Sequence, residues 1–173
     1  MARKEILRLG HPGLRLRSTR VRTFRGGALK RLVRDLDDTL GAWQRQHGSG
    51  RAIAAPQIGV PERVVVMRTE APAVLVNPEI TRRSRTRMVL WDDCVSMPTL
   101  LVKVRRHLEV DVRYQDIEGH RHTLHARGAL AELVQHEIDH LDGILAIDRA
   151  IDSRHIVYRQ EHERWRKRSG LVM

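Results

Sequence analysis

The chain is short of cysteine, aromatic residues and acid. A single cysteine, Cys94, occurs in 173 residues. That excludes an internal disulfide, fits a reducing compartment, and makes Cys94 the one possible thiolate ligand. One Phe, two Tyr and three Trp are too few for a base-stacking surface, so no sequence-specific nucleic-acid reader is expected. No apolar run approaches the roughly 20 residues of a membrane span. The basic start, Met1 to Leu7, leads into no long apolar core or small-residue cleavage site. Neither a membrane partner nor a signal peptide is expected, and the expected location is cytoplasmic. Asp and Glu total 21 against 32 Lys and Arg, for a net charge of +11. Arginine carries most of the excess. Attraction to polyanions and salt-sensitive contact with a phosphate backbone follow from it.

What is present suits one globular domain over residues 1–173, with 41% apolar and 31% charged residues. Monomer is the default at this size. No internal repeat or separating linker interrupts the chain. Residues 6–21 read as an arm with turn signals at Gly10-His11-Pro12-Gly13. After Gly26-Gly27, Leu29, Leu32, Val33, Leu36 and Leu40 fall at helical spacing and predict a core-packing helix of about four turns, closing near Gly48 to Gly50. Residues 50–59 read as a loop with small residues, Pro56 and one amide, Gln57. Residues 63–68, 73–77, 100–104 and 108–114 read as strands, with Pro61 and Pro72 as punctuation. Residues 122–125 suggest one more short strand. The basic run Thr81 to Arg87 reads as a solvated turn or edge strand. A last helix, charged and thinly amphipathic, is expected across residues 152–170, capped by Asp152-Ser153.

Chemistry concentrates in Gln135-His136-Glu137-Ile138-Asp139-His140. Residues four apart share a helix face, so His136 and His140 can present imidazoles to one metal ion. Glu137, one step round, can reach the water that such an ion acidifies and shuttle a proton in hydrolysis. Two histidines leave a catalytic metal one protein ligand short. The extended His-Glu-x-x-His-x-x-Gly-x-x-His pattern fits at Gly143 but fails at Ala146. A downstream glutamate, Glu161 or Glu163, is one remaining candidate. Cys94, upstream in Asp92-Asp93-Cys94-Val95-Ser96, is the other.

Three ordered blocks resemble the peptide deformylase family. Gly50-Arg51-Ala52-Ile53-Ala54-Ala55-Pro56-Gln57 is similar to its Gly-x-Gly-x-Ala-Ala-x-Gln. Asp92 to Ser96 is similar to its Glu-Gly-Cys-x-Ser. Gln135 to Gly143 matches every fixed position of its Gln-His-Glu-x-Asp-His-x-x-Gly. The likeness extends to residues 6–15, Val76-Asn77-Pro78 and Asp148-Arg149. It implies an α+β fold: mixed antiparallel β-sheets wrapped around a central helix carrying the histidines, with a C-terminal helix. It implies Cys94, His136 and His140 as ligands of one divalent metal, usually Fe2+ in this family, with Zn2+, Ni2+ or Co2+ as substitutes. It further implies Glu137 as acid–base, and the Gln57 amide with the Val95 backbone N–H as an oxyanion hole. Gly50, Arg51, Ala52 and Ile53 would offer backbone to an N-formylated peptide. Ala129, Leu133 and His136 would line the pocket for its methionine side chain. Formate and a free N-terminus on nascent polypeptides would be the products.

Three positions depart from the pattern. Ala52 replaces a glycine and adds a methyl group where peptide backbone should pass. Asp92 replaces Glu, one methylene shorter. Asp93 replaces Gly and places a charge beside Cys94 at the substrate path, which Arg51 is positioned to offset. An altered rim suggests a non-standard formylated substrate as one alternative. A weakly catalytic, ribosome-associated binding protein is a second, motivated by the net charge and by Arg164-Trp165-Arg166-Lys167-Arg168. A peptidase using Glu161 is a third.

Overall fold

The computed structural model describes residues 3–69 and 74–168. Met1, Ala2, Pro72, Ala73 and the end of the expected last helix at 169–170 lie outside the described residues.

The long helix α1, Gly27–His47, runs 21 residues, nearly six turns rather than four. Its buried stripe of Leu29, Leu32, Leu36 and Leu40 continues through Trp43, which stacks on His47 with ring centroids 3.8 Å apart. Gly48, in the left-handed conformation at φ 66°, ends it.

Strands β1 (Ala52–Ala54), β2 (Val64–Met67), β3 (Val74–Arg83) and, later in the chain, two more strands build a five-stranded sheet. Between these come β4 (Arg87–Asp92) and β5 (Leu100–His107). The sheet's remaining strands are β6 (Glu109–Gln115) and β7 (Arg121–Arg127), giving the order β1-β2-β3-β6-β7. The second sheet is β4-β5-β8, where β8 is Ile156–Tyr158. All these pairings are antiparallel.

Helix α2, Ala129–Leu141, carries the paired histidines and is buried at every residue from Ala131 to Leu141. Period-2 alternation sets what it meets. Val65 and Met67 of β2 and Ala52 and Ala54 of β1 pack with Ala131, Val134 and Ile138 of α2. Val64, Val66 and Ile53 turn to the opposite face and pack with α1. Both faces of β2 are therefore covered, so it reads as an unbroken apolar run. A third cluster, including Leu14, Cys94, Val102, Val104 and Leu145, lies against the smaller sheet.

The C-terminal segment differs from the expected continuous helix. Residues 153–155 form a 3-10 turn, with Asp152 accepting from the Arg154 N–H. Residues 156–158 then pair with Leu100 to Val102 as β8. Only Arg159–Arg168 is helical, as α3, and it buries no residue. The alternation of Ile156, Val157 and Tyr158 is too short to compete with helical propensity until β5 supplies a partner. The basic run 81–87 divides between the ends of β3 and β4 and the turn joining them.

Candidate metal centre and cleft

Cys94 Sγ and the Nε2 atoms of His136 and His140 converge in the interior. Cys94 Sγ is 3.2 Å from His140 Nε2, which is 3.2 Å from His136 Nε2. All three donor atoms lie within 4.8 Å of one another and all three residues are buried. A tetrahedral ion with nitrogen ligands at ~2.05 Å separates them by ~3.3 Å, so the spacing fits a metal of that size. A thiolate with two imidazoles is a donor set for zinc or ferrous iron. Glu161 and Glu163 lie elsewhere. Both are exposed on α3, and Glu161 accepts from Arg164 Nη1 at 2.6 Å.

Each donor is aimed by a neighbour. Asp92, at the end of β4, places Oδ1 2.9 Å from His136 Nδ1. Its Oδ2 accepts from Arg106 Nη2 at 2.8 Å and Nε at 3.2 Å. Arg106 also donates to Asp139 at 2.9 Å, and Arg149 donates to Asp139 at 2.7 Å. The Asp92 side chain, one methylene shorter than glutamate, thus reaches the imidazole. Against the pull of burial, His136 and Arg106 hold the Asp92 carboxyl well below the usual carboxylate range. Burial would lower the His136 pKa, but Asp92 raises it well above its ordinary value. The proton that Asp92 favours sits on Nδ1, which leaves Nε2 facing the cluster. Burial, with His136 nearby, drives His140 well below its ordinary value and keeps it neutral, the form a ligand needs.

Glu137 is buried, and among the described residues its Oε2 has no protein hydrogen-bond partner. Burial pushes its pKa up to about 7; His136 opposes the rise, and Glu132 and Asp92 add to it. Gln57 is oriented by a backbone donor. Its Oε1 accepts from the Ala54 N–H at 2.8 Å, which turns Nε2 toward Cys94 Sγ at 3.5 Å and Ser96 Oγ at 3.1 Å. Because Ala54 N–H can only donate, the amide has one consistent orientation. Val95 lies in the turn closed by Met97 N–H to the Cys94 carbonyl at 2.9 Å, a bond that does not use the Val95 N–H. Arg8 Nη1 takes the Val95 carbonyl at 2.7 Å. Leu7 N–H bonds the Gln57 carbonyl and Leu9 N–H the Ser96 carbonyl. The N-terminal arm therefore ties the Gln57 and Cys94 loops together.

A cleft of about 480 Å³ opens beside the cluster and reaches Gln57, Cys94, Val95, His136 and Glu137. Of the expected substrate contacts, Gly50, Arg51, Ala52, Asp93 and Leu133 line it. Ile53 does not: its side chain is fully buried against α1. Ala129 does not line it either. It is exposed at the start of α2, and its carbonyl accepts from Arg51 Nη1 at 3.2 Å. Trp43, Ser49 and Glu132 line the cleft without having been singled out in the sequence. Glu132 precedes His136 by four residues, so the helical period that pairs the histidines also places it on their face.

The departures from the family pattern resolve individually. The Ala52 methyl packs toward α2 and requires no unusual φ. Asp93 also keeps a negative φ. Its charge is met by Arg159 Nη2 at 2.8 Å rather than by Arg51, which is paired with Glu132 at 2.5 Å. Gly50 stays glycine for cause. Its φ is +102°, and a Cβ there would come within 2.8 Å of the Trp43 ring.

The polypeptide deformylase family model matches residues 3–155. The chain belongs to that family. Its members are metal-dependent hydrolases that remove the formyl group from the N-terminal formyl-methionine of nascent polypeptides. A peptide deformylase of Dictyoglomus thermophilum is 36% identical over 150 residues, covering 86% of this chain and 94% of the relative. A peptide deformylase-like protein of Brucella melitensis is 39% identical over 147 residues, covering 83% and 86%. The crystal structure of peptide deformylase from Thermotoga maritima matches with a TM-score of 0.80 at 32% identity, covering 88% of this chain and all of that one. The α+β deformylase fold follows from the same likeness. No helix among the described residues is long and apolar enough to cross a membrane.

Proposed function

We propose that Cys94, His136 and His140 hold one divalent ion, Fe2+, and that Glu137, Gln57 and Val95 complete a deformylation site on a single catalytic domain spanning residues 1–173. The observation that carries this reading is the convergence of three buried donors beside a buried carboxylate with a free oxygen. A bound ion supplies Lewis acidity and lowers the pKa of water.

The chain's own groups do the rest. Glu137 accepts a proton from the attacking water and delivers it to the departing amine nitrogen. The formyl C–N bond breaks, the water oxygen is retained in formate, and the amine leaves as a free N-terminus. Gln57 Nε2 and the Val95 N–H donate to the carbonyl oxygen as it gains charge. Strand β1 is the edge of its sheet. Arg51 and Ile53 direct backbone groups toward β2, as the bond from Arg68 N–H to the Arg51 carbonyl shows. Alternation therefore turns the Ala52 N–H and C=O to the open edge, where an extended peptide can add as a strand.

We further read the protein as a cytoplasmic monomer whose basic α3 contacts the ribosome. The support is the net charge of +11 and a helix that buries nothing. Salt-sensitive co-sedimentation with ribosomes, weakened by charge reversal at Arg164, Arg166 and Arg168, tests it.

The activity test is formate release from a formyl-methionyl peptide by protein purified anaerobically with ferrous iron. Turnover is expected. Absence of turnover with iron demonstrably bound overturns the site assignment or places the substrate outside formyl-methionyl peptides, and a panel of formyl amides separates the two.

A further inference from the structure

The cleft beside the candidate metal cluster is polar where a thioether pocket would be apolar. Arg51, at the entry to β1, reaches across to Glu132 on α2. Its Nη2 donates to Glu132 Oε2 at 2.5 Å, and its Nη1 to the Ala129 carbonyl at 3.2 Å. The two partners are unequal. The Glu132 side chain is 8% exposed and Arg51 45%. The carboxylate is the fixed, desolvated half; the guanidinium is the half that can swing to water without losing hydration.

Glu132 sits where a substrate side chain must go. A carboxylate oxygen of Glu132 lies within 4.8 Å of a ring nitrogen of His136 and an oxygen of Asp92. It shares the cleft with Ala52, whose outward backbone groups offer the strand edge. The residue bearing the formyl group is thus within one side-chain length of Glu132. A methionine entering there would displace Arg51 and leave a buried carboxylate facing a thioether, which has no proton to donate. An ammonium or guanidinium would keep the carboxylate paired. The local field favours a cation as well: although burial opposes it, Glu132, Asp93 and Asp92 hold Arg51 more firmly protonated. Leu133 provides an apolar wall for the methylene stem.

We propose that this recess is a cation subsite closed by the chain's own Arg51, and that the favoured substrates carry a basic side chain, lysine- or ornithine-like, on the formylated residue. The inference rests on the cleft being the deformylation site. It concerns the rank order of substrates within the family's reaction.

The test compares kcat/KM for Nα-formyl-lysyl, methionyl, norleucyl and alanyl tripeptides with the iron-loaded protein. The lysyl peptide is expected to exceed the methionyl one by at least tenfold. Arg51→Ala should widen that ratio, and Glu132→Leu should invert it. If Glu132→Leu fails to fold, Glu132→Gln keeps the side-chain shape and should bring the ratio near one. A wild-type preference for methionyl or norleucyl peptides overturns the proposal. So does a preference for alanyl, which would mean that the ion pair only fills the recess, and so does a ratio unmoved by the variants. If no peptide is hydrolysed, calorimetry with free Lys-Ala-Ala and Met-Ala-Ala decides. Tenfold tighter lysyl binding keeps the subsite while the hydrolytic reading falls; equal or weaker binding overturns the subsite too.

Discussion

Asp92 Oδ1 lies 2.9 Å from His136 Nδ1, and this contact decides which imidazole nitrogen faces Cys94. Replacing Asp92 with Asn removes the charge that holds Nδ1 protonated. The expected loss in metal affinity is about 10–100-fold. Competition against a chelator of known affinity measures it. Unchanged retention would show that ring packing alone orients His136.

Glu137 is the carboxylate with an oxygen unused by the protein. Glu137→Gln should fold, keep its metal, and lose about 10²- to 10⁴-fold in formate release. Metal content and turnover are read on the same sample. Full activity in a metal-replete variant would remove Glu137 from the proton path.

Gly143 follows α2 with φ +74°, and a Cβ there would approach the Arg15 carbonyl oxygen at 2.5 Å. Gly143→Ala combines left-handed strain with a backbone clash. A loss of at least about 2 kcal/mol in denaturant unfolding is expected. A loss below about half a kcal/mol would mean that the arm shifts freely.

Arg159 Nη2 holds Asp93 at 2.8 Å between two half-exposed side chains. Solvent screens such a pair, so Arg159→Ala should cost less than about 1 kcal/mol in stability. A larger loss would show that α3 docks more firmly than its lack of buried residues suggests.

Asp111 accepts from Arg82 and pairs with His125, and these hydrogen bonds, Arg82 first, hold its pKa down to about 2. A carboxyl depressed on folding stabilises the native state above its unfolded pKa of about 3.9, and that contribution fades as pH falls through the folded value. The melting-temperature gap between wild type and Asp111→Asn should therefore hold at pH 5 and above and close between about pH 4 and 2. A gap that widens on acidification would reverse the sign and exclude this pairing.

What was legible in the sequence was local. Leu29, Leu32, Leu36 and Leu40 announce α1 because 3.6-residue periodicity needs no partner. His136 and His140 share a face for the same reason. Period-2 alternation likewise dictated that Ile53 and Ala52 point to opposite sides of β1. The remaining features depend on contacts between distant segments. Ile156 to Tyr158 become a strand only because β5 has an open edge to pair with. Cys94 stands 46 residues from His140, and two sheets must close around α2 before the thiol reaches the imidazoles. Arg106 and Glu132 carry no local signal: an arginine on a strand and a glutamate on a helix are ordinary surface residues until burial removes water from them. Burial makes the partner of each charge matter, and those partners, Asp92 and Asp139 for one and Arg51 for the other, were set by tertiary packing.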